Sequence, residues 1–306
     1  MEDKNTIMGA GVFANLTYDE TFKVIAGDPA NERVLIDIIE LFIPGKRIRS
    51  IERLDKEMHG FVISDKNITF DLLCKTDADE LFIVEMQNGR MKHYCERVLA
   101  YSSYLVAGQL SGQLAQWLER KEDVPMDYSL MPVYVVSLLT EKLPHRSDEI
   151  LEGGLISRYT VCSPLNGEPM SESLEFVFLE LGRLVARPEE KDKCKTALER
   201  YAFSIKYMHT LKSIPEGFER DEKLLRLYRA SAFAGMTQVQ RLNYVNGMKG
   251  VFDEYARRQA AVEDARVEGA ARRNVEIARA MLSDGLEADF VVKYSGLSLE
   301  EVKSLK

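Results

Sequence analysis

The sequence predicts a mixed α/β core with helices on its faces, followed by an all-helical C-terminal extension. Two apolar segments joined by a short polar break, within residues 68–87, are typical of a β-hairpin. Residues 132–139 form a near-continuous apolar run, which is typical of a strand buried on both faces. Apolar residues at helical spacing elsewhere indicate helices packed on a sheet. We therefore expect a core over residues 1–165, a helical extension over 166–270 and a small three-helix tail over 271–306.

Two helices are expected before the hairpin, within residues 18–43 and separated near Gly27-Asp28-Pro29. The apolar side chains of the second helix recur every three or four residues, which leaves Asp37 and Glu40 for its outer face. Pro44-Gly45 ends this helix.

A strand is expected at 48–54, and the hairpin strands that follow each carry an acid among apolar residues: Asp71 within 68–76 and Glu85 within 81–87. A buried carboxylate is costly unless it is paired or binds a metal. Asp71 alone also fits a polar residue at a strand edge, whereas Glu85 stands among large apolar neighbours. Two such acids in adjacent strands favour a metal site, and oxygen ligands favour Mg²⁺ or Mn²⁺ over zinc.

The hairpin loop decides whether the two acids meet. If Thr76 pairs with Glu80 across a three-residue loop, Asp71 falls opposite Glu85, with the two β-carbons roughly 5 Å apart. A two-residue loop would set Asp71 opposite Met86 instead, and a slip of one residue sends side chains to opposite faces. We predict the first register.

Beyond the hairpin, an apolar stripe predicts a helix from about 93 to 110, and a further strand is expected at 157–163. From residue 171 onward the pattern is helical. Ser173 fits the N-cap of a helix over 174–185. Later helices are expected at 189–211, 221–234, 238–261, 274–283, 287–294 and 298–305. Ser298 and Glu301 fit a capping box at the last of these.

Composition limits the classes of protein that the chain can belong to. The 306 residues carry a net charge of −8, so any DNA-binding surface must be a local patch. Four scattered cysteines without a C-x-x-C pair predict neither zinc nor disulfides; Cys74 and Cys95 fit core thiols of a reducing compartment. The first residues show no basic region followed by an apolar run, and no apolar run reaches about 18 residues. We therefore expect a cytoplasmic protein without a signal peptide that does not span a membrane.

Several segments taken in order carry a family resemblance. They are Tyr18-Asp19-Glu20-Thr21-Phe22-Lys23, Asp71, Val84-Glu85-Met86-Gln87, Glu96-Arg97-Val98-Leu99-Ala100-Tyr101, and at the C-terminus Ile277–Leu282 and Gly296–Val302. This set resembles the PD-(D/E)XK nucleases, and among them the Rpn-like recombination-promoting nucleases, a group of transposases. The resemblance implies a restriction-endonuclease-like fold for the core.

The resemblance also implies roles for the hairpin residues. Asp71 and Glu85 match the metal-binding acids, and the backbone carbonyl of Met86 matches a further ligand. Gln87 stands where the family pattern usually has lysine, which positions the attacking water and offsets negative charge. Glutamine holds water by hydrogen bonds but carries no charge. Glutamine is common at this position in the Rpn-like branch.

Residues around the hairpin are assigned accessory roles on the same basis. Asp19 matches an acidic position that helps to build the site in many relatives, and it equally fits a helix N-cap. Lys23 and Lys92 are candidates for the missing cation, although Lys23 also fits a solvent-facing residue. Arg97 has the spacing to stack on Tyr101 or to bind a DNA phosphate, where its planar fork suits two oxygens.

Further DNA contacts are expected from the basic cluster after the second helix. Lys46 and Arg47 fit either a phosphate-binding patch or a solvated turn. The last three helices resemble a small helix-turn-helix, but they lack a basic recognition face. Packing or homo-oligomerisation through the helical C-terminal region is therefore an equal expectation for them.

The function that these observations predict is a metal-dependent DNA endonuclease that hydrolyses phosphodiester bonds in transposition or recombination. In this hypothesis Asp71, Glu85 and Gln87 are catalytic and Mg²⁺ or Mn²⁺ is the cofactor. The alternative is a catalytically degenerate nuclease fold that acts as a DNA-binding or protein-interaction module. A third interpretation is a structural α/β protein whose acids form a hydrogen-bond network.

Overall fold

The computed structural model describes residues 11–54, 57–58, 68–120, 129–145, 147 and 151–305, with the backbone alone at 57–58, 68–69 and 111–120. Within it the chain divides into two units, Met1–Gly247 and Met248–Lys306. The predicted boundaries after residues 165 and 270 stay a prediction.

The chain contains eight α-helices within the described residues. They are α1 (Asp19–Ala26), α2 (Glu32–Phe42), α3 (Tyr94–Arg120), α4 (Ala197–Tyr207), α5 (Glu222–Ser231), α6 (Gln238–Ser283), α7 (Ala288–Ser295) and α8 (Leu299–Ser304). The strands are β1 (Ile51–Arg53), β2 (Glu57–Met58), β3 (Ile68–Thr69), β4 (Leu72–Thr76), β5 (Leu81–Gln87), β6 (Val133–Leu139), β7 (Ile156–Thr160) and β8 (Leu174–Glu180).

Six strands form one mixed sheet in the order β1-β4-β5-β6-β8-β7, while β2 and β3 form a separate pair. The pairs β5/β6 and β6/β8 are parallel, and β1/β4, β4/β5 and β7/β8 are antiparallel. This sheet with helices on its faces confirms the predicted α/β fold class. Strand β6 lies in the middle and is buried along its whole length, as its unbroken apolar sequence predicts.

The hairpin between β4 and β5 adopts the predicted register. Lys75 pairs with Leu81, and the N–H of Thr76 donates to the carbonyl of Glu80 at 2.9 Å. Asp79, the third loop residue, has a φ of 57°, in the left-handed region that Asp tolerates better than most residues. The three-residue loop therefore fixes the pairing along both strands.

The helix predicted over 174–185 is wrong, because residues 174–180 form strand β8. Phe176 and Phe178 pack into the cluster beneath α3, while Val177 and Leu179 are fully buried on the opposite face. A run that is covered on both faces has no polar stripe, so burial favours a strand over a helix. The predicted N-cap, Ser173, instead accepts a hydrogen bond from the N–H of Val133, and the sheet extends beyond residue 165.

One acid of α2 lies in the interior, contrary to prediction. Asp37 has no exposed surface, whereas the helical spacing placed it on the outer face. Arg226 of α5 lies 2.7 Å from Asp37 Oδ2, and Arg33 lies 3.2 Å from Oδ1. Helix α5 thus covers this face of α2 through a buried ion pair that the local sequence does not reveal.

The second unit contains a small core of its own. Ala278 of α6, Val291 of α7 and Val302 of α8 are fully buried against one another. The hydroxyl of Ser298 accepts from the N–H of Glu301, whose carboxylate accepts from the N–H of Ser298, which confirms the predicted capping box. The helices predicted at 238–261 and 274–283 are parts of one continuous helix, α6.

The four cysteines are free; Cys74 and Cys194 are buried, whereas Cys95 is exposed and is not the core thiol that was predicted. Within the described residues, no helix has both the length and the apolar character needed to cross a membrane.

Candidate functional site

The two hairpin acids lie at the same end of the sheet. Asp71 immediately precedes β4, and the β4/β5 register, continued by one residue beyond Leu72 and Val84, places it opposite Glu85. The Oδ2 atom of Asp71 accepts a hydrogen bond from the N–H of Met86 at 3.0 Å. Glu85 lies within β5 and is only 5 % exposed. The local pairing therefore brings both carboxylates to the carboxyl end of β5.

Met86 also presents its carbonyl toward this place. Backbone groups alternate sides along a strand, and the N–H and C=O of one residue share a side. The Gln87 carbonyl accepts from the N–H of Thr140, beyond the end of β6, so the Met86 groups face the β4 side. The N–H of Met86 meets Asp71 there, and its carbonyl lies on the same side, past the end of β4.

Each acid has a cation of its own, which the sequence did not predict. Lys23 of α1 lies 3.0 Å from Asp71 Oδ1 and 3.5 Å from Asp19 Oδ2. Arg97 of α3 lies 3.4 Å from Glu85 Oε2. The site is thus a cluster of carboxylates and cations at which α1, β5 and α3 meet.

Arg97 links the acid to the glutamine beyond it. Its Nη2 atom donates to Gln87 Oε1 at 3.1 Å. Its guanidinium lies 5.2 Å from the ring centre of Tyr94 and 5.6 Å from that of Tyr101, so the predicted stacking on Tyr101 is present. The Nε of Arg97 is buried without a hydrogen-bond partner among the described residues, which leaves one donor of this guanidinium unused.

The amide of Gln87 has three hydrogen-bond partners, one of which is the carbonyl of Gly89, 3.5 Å from Nε2. Its Nε2 donates to the carbonyl of Asn88 at 3.1 Å, and its Oε1 accepts from Arg97. An amide oxygen accepts two hydrogen bonds, so a second lone pair of Oε1 remains for a water molecule.

Burial and mutual repulsion determine the charge of the two acids. Burial raises the pKa of Asp71 above its usual value, and Lys23 together with the N–H of Met86 offsets this only in part. Burial and the charge of Asp71 raise the pKa of Glu85 to about 7, against the opposing charges of Arg97 and Lys23. Although burial alone would lower the pKa of Lys23, the charge and hydrogen bond of Asp71 raise it. The charge of Asp71 therefore opposes ionisation of Glu85, the acid opposite it.

Asp19 lies at the edge of this cluster. It does not cap α1, because Tyr18 occupies the N-cap position, and its side chain is 48 % exposed. Asp19 and Asp71 contact the same lysine, Lys23.

The predicted DNA-binding residues lie in different surroundings. Lys46 forms an ion pair with Glu80 and lies 4.7 Å above the ring of Tyr134, at the far end of β5 from the acids. Arg47 beside it is exposed. Lys92 lies in the loop after β5 and lines a cleft that begins at Gln87.

That cleft was not predicted. It has a volume of about 640 Å³ and lies at the carboxyl ends of the parallel strands β5 and β6, where Arg90 and Lys142 also line it. The carboxyl edge of adjacent parallel strands is a common place for ligand sites, so the strand order could have indicated it. The pairing of β5 with β6 was not visible in the sequence.

The donor atoms fit a hard divalent cation. No group of three or more His, Cys, Asp and Glu side chains is placed to hold a metal within the part of the chain that the structure describes. The set consists instead of two carboxylates, Asp71 and Glu85, and the backbone carbonyl of Met86. Such oxygen ligands suit Mg²⁺ or Mn²⁺, which keep several water ligands.

Comparison with known proteins identifies the family of the chain. A family model described as PD-(D/E)XK nuclease family transposase matches residues 16–261. A second model, described as Rpn/YhgA-like nuclease family, C-terminal HTH domain, matches residues 272–306. No curated protein matches the chain, and no solved structure does.

Proposed function

We propose, since the chain belongs to the PD-(D/E)XK nuclease family of transposases, that it is a DNA endonuclease that depends on Mg²⁺ or Mn²⁺. The observation that carries this proposal is the contact between Asp71 and the backbone of Met86, which brings Asp71 to Glu85. Neither acid is needed for the hairpin, since the register follows from the loop. Their convergence is what phosphodiester hydrolysis requires.

Asp71, Glu85 and the Met86 carbonyl are the groups that would hold the cation. When bound, such a cation polarises the scissile phosphate and lowers the pKa of a bound water. Asp71 has to leave Lys23 for this, and Glu85 has to leave Arg97. Glu85 loses less than a well-paired acid would, because burial and the charge of Asp71 both oppose its ionisation. Asp71 also loses less, because burial raises its pKa in spite of Lys23.

Arg97 and Gln87 act on the substrate in this proposal. Arg97 turns its unused Nε and its Nη2 toward a phosphate oxygen, for which a guanidinium fork is suited. Gln87 accepts a hydrogen bond from the attacking water at its second Oε1 lone pair and so orients that water. Lys23, released from Asp71, remains close enough to bind a phosphate oxygen as a point charge.

DNA is the expected substrate because the tail matches a helix-turn-helix domain. The association with transposition or recombination rests on the family. A net charge of −8 requires that DNA contacts be local. The cations that line the cleft at Gln87 are such a place.

The experiment is nicking of supercoiled plasmid by the full chain with Mg²⁺, with Mn²⁺ and with EDTA. The wild type, Asp71→Asn and Glu85→Gln are compared. The matched control is Glu80→Gln, a buried acid of the same hairpin that pairs with Lys46 at the opposite end of β5. We expect metal-dependent nicking by the wild type and the control, and none by the two site variants.

A second candidate function is a DNA-binding or protein-interaction module without catalysis. The ion pairs Lys23–Asp71 and Arg97–Glu85 favour it, because the acids are already neutralised. Retardation of DNA without nicking under any metal would establish this module and reject the endonuclease. Nicking by both site variants at the wild-type rate would place the activity elsewhere. Self-association through the helical C-terminal region stays a proposal, which light scattering of the full chain tests.

A further inference from the structure

The cleft that begins at Gln87 has two walls of different origin. One wall is the loop after β5 and the start of α3, and the other is the segment 139–144 at the end of β6. Its volume of about 640 Å³ lies within the usual range for small-molecule sites. Gln87 lines this cleft, so a ligand-sized space adjoins one of the candidate catalytic residues.

Both walls are held in place by hydrogen bonds. The Glu180 Oε2 atom accepts from the N–H of Leu143 at 2.9 Å, and Arg183 donates to the Leu143 carbonyl at 3.0 Å. On the other side the hydroxyl of Thr140 accepts from the N–H of Gly89 at 2.8 Å, which ties one wall to the other. The cleft is thus preformed and does not depend on a bound ligand.

The lining combines apolar surfaces with cations. Met91, Leu143 and Pro144 supply apolar surface, while Arg90, Lys92 and Lys142 supply positive charge. None of these three cations forms an ion pair with a residue that the structure describes. The acids of the cleft, Glu96 and Glu141, are fewer than its cations. An anion that also carries a flat apolar group fits this lining, and a nucleotide has both parts.

We propose that the cleft receives the nucleotide next to the scissile phosphate, with its base unpaired and its phosphate on Arg90, Lys92 or Lys142. This inference rests on the proposed endonuclease function and adds a substrate class to it. A base within a duplex is stacked and paired and cannot enter a cleft, whereas a single-stranded or flipped base can. The substrate is therefore DNA that is single-stranded or locally unpaired beside the cut.

The first test measures binding without cleavage. Full-length protein in EDTA is titrated into a fluorescently labelled DNA oligonucleotide, as a single strand and as a duplex of the same sequence. We expect Arg90→Glu and Lys142→Glu each to weaken binding of the single strand at least fivefold and to leave duplex binding unchanged. The salt dependence of single-strand binding should flatten by about 0.7 per lost phosphate contact.

Two kinds of control keep the test specific. Lys212→Glu and Arg220→Glu change exposed cations of the same unit outside the cleft, and single-strand binding should stay at the wild-type level. Leu143→Trp fills the cleft without changing charge, and it should weaken single-strand binding as the charge reversals do. Equal loss in the outside controls, or wild-type binding by all cleft variants, would overturn the inference. Tighter binding of an RNA strand with the same dependence on the cleft would also overturn it.

Cleavage is then scored separately, with Mg²⁺, on duplexes that are fully paired or carry an unpaired stretch. Preference for the unpaired duplex, lost in Lys142→Glu, supports the cleft. Equal cutting of both substrates overturns the proposal that the cleft binds an unpaired nucleotide, but it leaves the endonuclease proposal intact. Cleft-dependent binding of the single strand without any cleavage supports the cleft as a nucleotide site and rejects the endonuclease.

Discussion

Arg97 donates a hydrogen bond to Gln87, with 3.1 Å between Nη2 and Oε1. The same Nη2 atom lies 3.4 Å from a carboxylate oxygen of Glu85. Helix α3, which follows the hairpin, thus places a positive charge next to Gln87, whose own side chain is neutral. The tyrosine rings on either side hold the guanidinium in this position.

The first prediction concerns this pair. Arg97→Ala should reduce plasmid nicking by about 10²–10³-fold, the usual cost of losing one group that stabilises transition-state charge. If Arg97 supplies the charge that Gln87 lacks, adding Gln87→Lys to Arg97→Ala should raise the nicking rate at least tenfold above that of Arg97→Ala alone. The measurement is the single-turnover nicking rate of the wild type and of each variant.

Thermal unfolding of the same proteins serves as the control for this pair. Arg97→Met keeps much of the contact with Tyr94 and Tyr101 but removes the charge, and it should be as inactive as Arg97→Ala. An Arg97→Met protein with full activity would show that packing alone matters. If Gln87→Lys restored no activity in a folded double variant, Arg97 would not be the residue that supplies the charge that Gln87 lacks.

The second prediction concerns Lys23, whose ammonium occupies the Asp71 oxygen that a metal would use. Lys23→Met should tighten Mn²⁺ binding roughly tenfold, equivalent to about 1.4 kcal/mol, because the cation no longer competes with the ammonium. It should also destabilise the metal-free protein by about 1–3 kcal/mol, since Asp71 stays buried without its partner. Calorimetric titration with Mn²⁺ and urea unfolding measure the two effects.

The matched control for Lys23 is Lys75→Met. Lys75, near the end of β4, pairs with Asp79 of the hairpin loop, whose side chain is 73 % exposed. Neither Mn²⁺ affinity nor stability should change appreciably there, because exposed ion pairs contribute little. Weaker Mn²⁺ binding by Lys23→Met would mean that Lys23 assists the metal site and does not compete with it.

The hairpin shows how much of the site was predictable from sequence. The position of Asp71 opposite Glu85 follows from strand alternation and loop length, which are local properties, and the structure confirms the register. The cations were not predictable to the same degree. Lys23 and Arg97 reach the acids from α1 and α3, and which helix packs at this edge of the sheet is a tertiary property.

Strand β8 shows where local sequence misled the prediction. Residues 174–185 have spacing that also suits a helix, and only their placement between β6 and β7 covers both faces. Asp37 is a parallel case, because its burial depends on Arg226, which lies 189 residues further along the chain. Both errors concern contacts between residues that lie far apart in the chain. The periodicity of a local segment carries no information about such contacts.

The third prediction concerns the buried ion pair between α2 and α5. Asp37→Ala should lower the free energy of unfolding by about 1–3 kcal/mol, because Arg226 and Arg33 lose the buried carboxylate that they share while both stay partly exposed to water. Urea unfolding followed by circular dichroism measures this. Glu222→Ala, which removes an acid that is 89 % exposed and 3.7 Å from the same arginine, should change stability by no more than about 0.5 kcal/mol. Equal effects of the two variants would contradict the assignment of Asp37 as the stabilising partner.

The last prediction concerns pH and the carboxylate of Glu180, which anchors one wall of the cleft. Burial alone would raise the pKa of Glu180, but hydrogen bonds from Arg183, His145, the N–H of Leu143 and Ser157 lower it below the ordinary value of 4.5. A folded-state pKa below the unfolded one means that the unfolded state binds the proton first as pH falls. The stability that Glu180 contributes is therefore complete above about pH 5 and is lost as the pH falls below 4.5 toward the folded-state pKa.

Glu180→Gln should thus be less stable than the wild type at pH 7, and the difference should shrink between pH 5 and pH 3. Urea unfolding at each pH measures this, with the exposed Glu172→Gln as a control that follows the wild type at every pH. A stability difference for Glu180→Gln that stayed constant down to pH 3 would show that the ionised carboxylate does not stabilise the wall, and that the glutamate acts through its shape alone.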